Sequence, residues 1–181
     1  DFKTNFEKKI ELKNVSVTYN LSKEIEDKDI VLKNINLELA KGKKSILVGK
    51  NGSGKSTTLL TARGLISKSV GQYKGEIKIY GNNLDDTELG NLSKYLRIVF
   101  PSAAHGLVGI RVKDELGLSL LRSKHASRYN KKKFVDILEK VGLDESYLNK
   151  KTLSLSGGQQ QRIALASSLI SDPEMLFFDE V

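Results

Sequence analysis

The stretch "GKNGSGKST" (residues 49–57) lies between a predicted strand and a predicted helix. The apolar run "SILVG" (45–49) before it is typical of a buried central strand, and residues 55–65 after it have a helical pattern. Glycines at such a junction let the backbone curl so that successive N–H groups point at an anion. The positive N-terminal end of the helix adds to the attraction. The stretch therefore predicts a strand–loop–helix unit that binds phosphate.

The spacing within this loop matches the complete Walker A pattern, G-x-x-x-x-G-K-S. Lys55 would bridge the β- and γ-phosphates of a nucleotide, and the Ser56 hydroxyl would join the coordination shell of Mg²⁺. The alternative is an ordinary glycine-rich turn with a surface lysine, which the flanking strand and helix disfavour. The predicted nucleotide-binding residues are Gly49, Lys50, Asn51, Gly52, Ser53, Gly54, Lys55, Ser56 and Thr57.

Two adjacent acids follow the apolar run "MLFF" (175–178), which predicts a second buried strand. Asp179 stands at the end of this strand, where a Walker B aspartate lies, and would hold Mg²⁺ directly or through water. Glu180 is placed to orient or deprotonate an attacking water. Acids at a strand end also occur as simple helix caps, but the phosphate loop favours the catalytic interpretation.

Composition sets broad limits on the class of protein. The chain has 181 residues, with 30 Lys and Arg against 22 Asp and Glu, no Cys and no apolar run long enough to span a bilayer. We expect a cytosolic globular domain, with or without a subdomain. The net charge of +8 suits nucleotides, nucleic acid or an acidic membrane surface, and does not distinguish between them.

The periodicity of the chain alternates between strand and helix. Residues 10–19 and 30–39 alternate apolar and polar side chains, as half-buried strands do, and "LRIVF" (96–100) is another buried run. In residues 112–151 the apolar residues have mainly helical spacing, and this spacing returns from residue 157. We therefore predict an α/β fold with a parallel sheet and a mainly helical insert.

A second glycine loop, "LSLSGGQQQR" (153–162), also opens a predicted helix. Its core, Leu155-Ser156-Gly157-Gly158-Gln159, resembles the signature motif of the ATP-binding-cassette (ABC) ATPases. The motif lies between Walker A and Walker B, as in that family, and the resemblance covers almost the whole chain. It implies a P-loop core with a parallel sheet, an antiparallel β-subdomain and a helical insert, which bind ATP and Mg²⁺.

The resemblance also implies domain limits and a partner cassette. Residues 1–181 would be one truncated nucleotide-binding domain, with its ATP-binding core at about 1–101 and 157–181 and its helical subdomain at about 102–156. In the family two cassettes stack head to tail, identical or different. Ser156, Gly157 and Gly158 would then meet the γ-phosphate of ATP on the partner cassette.

Three features bear on the nucleotide site through the same resemblance. Tyr19 occupies the place of the aromatic residue that stacks on adenine, although a strand tyrosine can simply pack on its neighbours. Pro101 stands where the family has a glutamine that touches Mg²⁺ and water, so the contact is lost or Ser102 supplies it. Neither His105 nor His125 can be the family's switch histidine, and we expect both on the surface. We therefore expect a fragment that binds ATP but scarcely hydrolyses it alone.

The stretch "LVGIRVKDELGLSL" (107–120) is similar to one in ATPases of energy-coupling-factor and cobalt-type importers. Those proteins pair two cassettes with a membrane-embedded coupling subunit. The resemblance implies the ATP-hydrolysing subunit of a membrane transporter, an importer of a micronutrient or ion, at the cytoplasmic face of the membrane. Two alternatives stay open: a soluble ABC ATPase acting on ribosomes or nucleic acid, and a non-hydrolytic, ATP-gated dimerisation module. We do not expect a nucleic-acid partner.

Overall fold

The computed structural model describes residues 9–21, 27–66, 70–100, 106–123 and 131–179, which form two compact units, Asp1–Leu92 and Ser93–Val181. No helix in these ranges is both long and apolar enough to cross a bilayer. The strands are β1 (Lys9–Thr18), β2 (Ile30–Ala40), β3 (Gln72–Ile79), β4 (Asn82–Asn83), β5 (Leu96–Val99) and β6 (Met175–Phe178). The helices are α1 (Lys55–Ala62), α2 (Leu89–Leu92), α3 (Val112–Leu121), α4 (Lys131–Lys140) and α5 (Gly157–Ile170). Short 3₁₀ turns lie at Asp27–Asp29, Leu84–Asp86, Glu145–Asn149 and Thr152–Ser154.

The first unit contains an antiparallel sheet in the order β2-β1-β3-β4. Ile10 and Leu12 of β1 are buried, and the next buried apolar residues are Val15 and Val17, so the alternation shifts by one residue between the two pairs. The pairing of β1 with both neighbours shifts at the same place, where Asn14 has a φ of 50°. This bulge returns Val15 to the buried face of the sheet.

Helix α1 ends in a Schellman motif that brings the chain back to the core of the first unit. Gly64 has a φ of 77°, its N–H donates to the Thr61 carbonyl, and the Leu65 N–H donates to the Leu60 carbonyl. A side chain at Gly64 would also lie 2.8 Å from Leu84 Cδ1. Glycine is therefore required here both by the backbone conformation and by packing.

The prediction of a buried strand at residues 45–49 is wrong. Residues 43–50 form no regular element, and the side chains of Ile46 and Val48 are 88% and 87% exposed. An apolar run indicates a preference for burial, but a strand also needs neighbouring strands to satisfy its N–H and C=O groups. In the described part of the first unit every strand belongs to the antiparallel sheet. The parallel strands lie in the second unit.

The second unit combines the parallel pair β5-β6 with helices α3, α4 and α5. Leu96 pairs with Met175, and Val99 pairs with Phe178. The apolar faces of the three helices form one core. Its buried members are Val112, Leu116, Leu120, Phe134, Ile137, Leu138, Val141, Leu143, Leu148, Leu155, Ile163, Ala166 and Ile170. The predicted α/β fold, with antiparallel and parallel sheets, is confirmed.

Candidate nucleotide-binding site

The phosphate loop owes its curl to glycines in conformations that other residues rarely adopt. Gly52 and Gly54 have φ angles of 78° and 88°, both in the left-handed region. The Ser53 N–H donates to the Lys50 carbonyl over 3.1 Å, which closes a turn in the loop. At Gly54 a side chain would also lie 2.6 Å from Leu32 Cδ2. The curl predicted from the sequence is therefore present.

Lys55, the first residue of α1, folds back over its own loop. Its Nζ donates to the carbonyl oxygens of Gly49 and Lys50, both over 3.0 Å. The N-cap residue, Gly54, has no side chain with which to cap the helix, and the first turn contains no acidic residue. The start of α1 is therefore electropositive and has no anionic side chain of its own, as a phosphate site requires.

Tyr19 lies beside this helix. Its hydroxyl donates to Thr57 Oγ1 over 3.2 Å, and 41% of the residue is exposed. Thr57 is itself buried in the first turn of α1. The structure thus places an aromatic ring next to the phosphate loop, with a hydroxyl anchor that the sequence reasoning did not foresee.

Asp179 follows β6, at the carboxyl end of the parallel pair. Its N–H donates to the Val99 carbonyl over 3.1 Å, and the residue is buried. This is the strand-end position that the sequence predicted for it. The predicted base Glu180, together with Pro101, Ser102, His105 and His125, lies outside the described residues.

The signature loop caps helix α5 with its own side chains. Ser156 Oγ accepts from the Gln159 N–H over 3.4 Å, and Gln159 Oε1 accepts from the Ser156 N–H over 3.1 Å, which is a capping box. Gln159 Nε2 also donates to the Tyr147 hydroxyl over 2.9 Å. Leu155 is buried in the core of the second unit. Leu155 and Gln159 thus hold the loop in place, and Tyr147 is a supporting residue that no sequence pattern indicated.

Gly157 and Gly158 have no internal reason to be glycine. Neither has a positive φ, and a side chain at either position would meet nothing within 4 Å. Both lie in the first turn of α5 and are exposed, although glycine within a helix costs about 0.5–1 kcal/mol relative to alanine. The backbone at this helix N-terminus is therefore uncovered.

Comparison with known proteins assigns the family. A family model described as "ABC transporter" matches residues 32–181, which include both glycine loops and Asp179. The chain belongs to the ABC transporter family. It is an ATP-binding domain of that family.

Two curated relatives are energy-coupling factor transporter ATP-binding proteins EcfA1. The one from Mycoplasma mobile is 34% identical over 172 residues, which are 95% of this chain and 59% of the relative. The one from Mesomycoplasma hyopneumoniae strain 7448 is 36% identical over 152 residues, which are 84% of this chain and 54% of the relative. This ABC chain therefore spans little more than half the length of these relatives.

Solved structures share the fold. The cassette MJ0796, a dimer in a post-hydrolysis state bound to ADP and phosphate, superposes with a TM-score of 0.77 at 29% identity, over 94% of this chain and 73% of that one. The cbiO1 protein of Clostridium perfringens, described as part of the ABC transporter complex cbiONQ, gives 0.70 at 24% identity, over 94% and 64%. The cbiO1 likeness supports the fold alone.

Proposed function

We propose that this chain is the nucleotide-binding domain of an ATP-hydrolysing transporter subunit, and that its two glycine loops serve two different ATP molecules. The observation that carries the proposal is the open space at Gly157 and Gly158. The phosphate loop binds the ATP of its own chain. The signature loop, at an exposed helix N-terminus, meets the γ-phosphate bound to a second cassette.

At the phosphate loop, the proposed change on binding is a change of partners for Lys55. Its ammonium group is held by two loop carbonyls, and it would turn to the β- and γ-phosphates to form stronger charge-assisted hydrogen bonds. The N–H groups of the loop would bind the remaining phosphate oxygens. Tyr19 would stack on the adenine, a role supported by its half-exposed ring and its bond to Thr57.

The residues predicted to hold Mg²⁺ suit that ion. Ser56 and Asp179 offer a hydroxyl and a carboxylate, which are the hard oxygen ligands that Mg²⁺ prefers. The described residues contain no cluster of three or more His, Cys, Asp or Glu that could hold a metal ion. Such a site suits Mg²⁺ that is bound mainly by phosphates and water, where it neutralises charge on the phosphates. Glu180 would accept the proton of the attacking water.

The proposed partner cassette closes over this site. Ser156, Gly157 and Gly158 would be its contact with the ATP of the other subunit. The dimeric, ADP- and phosphate-bound state of MJ0796 supports this arrangement by analogy. The proposal covers an identical and a different partner cassette, because both arrangements place a signature loop on each ATP.

The proposed membrane partner is a helical segment of an embedded coupling subunit. Val108 and Ile110, within the stretch that is similar to energy-coupling-factor ATPases, are 71% and 74% exposed. These two exposed apolar side chains would pack against the coupling subunit. The names of the EcfA1 relatives support a transporter subunit. The proposed transporter is an importer of a micronutrient or ion, with this domain at the cytoplasmic face of the membrane. We assign residues of about 102–156, which contain this stretch, to the helical subdomain.

Size-exclusion chromatography of the full-length protein, with Mg²⁺ and a non-hydrolysable ATP analogue, tests the proposal. A shift to a dimer, or to a complex with its partner cassette, is expected only with nucleotide. A full-length protein that binds the analogue and stays monomeric beside its partner would contradict it. Turnover of ATP then separates a hydrolase from the non-hydrolytic module that Pro101 favours.

A further inference from the structure

Glu115, on α3, is a buried acid that the nucleotide chemistry does not use. The residue is only 6% exposed. Its Oε2 accepts from the N–H groups of Val108 and Gly109 over 2.8 and 2.7 Å, and its Oε1 accepts from Ser167 Oγ over 2.9 Å. Burying a carboxylate is costly unless hydrogen bonds compensate. These three bonds join one side chain to a loop on one side and to a helix on the other.

The loop is built to fit this acid. A side chain at Gly109 would lie 2.6 Å from Glu115 Cα, so only glycine lets the loop approach α3 so closely. Thr152 binds the other side of the loop: its Oγ1 donates to the Gly109 carbonyl over 2.6 Å, and its N–H donates to the Ile110 carbonyl over 3.0 Å. Hydrogen bonds thus hold the loop from both sides, while Val108 and Ile110 stay exposed.

The helix on the other side is α5, which begins with the signature glycines. Ser167 lies on this helix, and its hydroxyl is 2.6 Å from that of Ser119 on α3. Because Ser167 donates its one proton to Glu115, Ser119 must donate to Ser167. Glu115 also interacts with Arg97 of β5. Burial lowers the pKa of Arg97, repulsion by Arg122 lowers it further, and the Glu115 carboxylate acts in the opposite direction.

We infer that Glu115 is a positioning residue that couples the exposed Val108–Ile110 loop to the signature helix α5, so that a displacement of one is passed to the other. The inference rests on the proposed function, in which the signature loop at the start of α5 meets the partner's ATP. One carboxylate oxygen of Glu115 binds the loop, and the other binds Ser167 of α5. Removing the hydrogen bond to one of these elements should therefore uncouple the loop from α5 without unfolding the domain.

Ser167→Ala in the full-length protein is the test, since it removes the hydrogen bond between α5 and Glu115 and leaves both bonds between Glu115 and the loop. Ser168→Ala is the matched control, because it removes a similarly buried hydroxyl from the next position of α5, where no bond to Glu115 is made. Glu115→Gln is the conservative variant: its amide can still accept from the loop and donate to Ser167.

The measurement is hydrogen exchange of the Val108 and Gly109 amides, with and without Mg²⁺ and a non-hydrolysable ATP analogue. In the wild type, Ser168→Ala and Glu115→Gln, nucleotide should change these exchange rates. In Ser167→Ala the change should be lost, while the dissociation constant for the analogue stays within about twofold, because Ser167 is not one of the proposed nucleotide-binding residues.

Two results would overturn the inference: a nucleotide response in Ser167→Ala equal to that of Ser168→Ala, or no response in a wild-type protein that binds the analogue and dimerises. In the second case the proposed function stands. A wild-type protein that fails to bind the analogue in an equilibrium titration would overturn the proposed function, and the inference with it.

Discussion

The hydroxyl of Tyr19 donates a hydrogen bond to the hydroxyl of Thr57 over 3.2 Å, which ties the end of β1 to the first turn of the phosphate helix. The ring is anchored at its hydroxyl, and 41% of the residue is exposed. An anchored ring loses little further freedom when a base stacks on it, so the contact prepares Tyr19 for a planar ligand.

Tyr19→Phe and Tyr19→Ala form a matched pair. Phenylalanine keeps the ring and loses only the hydroxyl, so it should bind ATP about 5- to 150-fold more tightly than alanine, the range that stacking on one base spans. Isothermal titration calorimetry would measure both. Magnesium tripolyphosphate, which lacks the base, should bind the two variants equally; a Phe variant no better than Ala for ATP would exclude stacking.

Lys55→Ala should weaken ATP binding. The substitution removes a charge-assisted hydrogen bond worth about 1.5–3 kcal/mol, which corresponds to a loss of about 10- to 150-fold in affinity. Lys44→Ala is the control, because Lys44 is an exposed lysine outside the predicted nucleotide-binding residues. Unchanged affinity in the Lys55 variant would remove the phosphate-site assignment.

Local pattern and long-range contact explain which parts of this structure could be predicted. The helix after the signature loop and the strand Met175–Phe178 were predictable, because periodicity and flanking turn residues lie within the segments themselves. The conformation of residues 45–49 was not predictable, because their apolar pattern does not indicate which strand would pair with them. Glu115 reads as a surface residue of an amphipathic helix, and its partner Ser167 is too far along the chain for any pattern to show.

The signature site also has one part that the sequence could predict and one part that it could not. The motif indicated Ser156, Gly157 and Gly158 as a group, and the structure keeps all three exposed. That Gln159 caps the helix and is held by Tyr147 depends on how the 3₁₀ turn at Glu145–Asn149 folds back on α5. Folding of that kind brings distant residues together and leaves no periodic trace in the sequence.

Ser156→Arg should leave ATP binding to the monomer intact and prevent dimer formation. Ser156 is exposed at the start of α5, so an arginine there would occupy the space meant for the partner's γ-phosphate. Ser154→Arg, at an exposed position before the helix, is the control and should still dimerise. Analytical ultracentrifugation with Mg²⁺ and a non-hydrolysable analogue would compare them. Loss of monomer binding in the Ser156 variant would contradict the assignment of two loops to two ATP molecules.

Gly157→Ala should stabilise the fold and weaken the dimer. Nothing lies within 4 Å of a side chain at this position, so alanine should raise the free energy of unfolding by up to about 1 kcal/mol. Gly75→Ala is the contrast: Gly75 has a φ of 103°, and a side chain there would lie 2.5 Å from the Asn14 carbonyl oxygen. Urea denaturation would measure the free energy of unfolding of the Gly157 and Gly75 variants. A destabilised Gly157 variant would mean that the glycine serves the fold and not a partner.

Glu180→Gln should trap the ATP-bound dimer of the full-length protein. Glutamine keeps the size and shape of the side chain but cannot accept the proton of the attacking water, so hydrolysis should fall by about 10²–10⁴-fold. ATP should still bind, because Lys55, Ser56 and Asp179 are unchanged. Phosphate release would measure the rate, and size-exclusion chromatography with Mg-ATP should show a dimer that the wild type does not accumulate.

Asp179→Asn is the matched control: it alters the proposed Mg²⁺ ligand, so it should weaken binding of Mg-ATP as well as turnover. Near-normal turnover in the Glu180 variant would exclude this residue as the base.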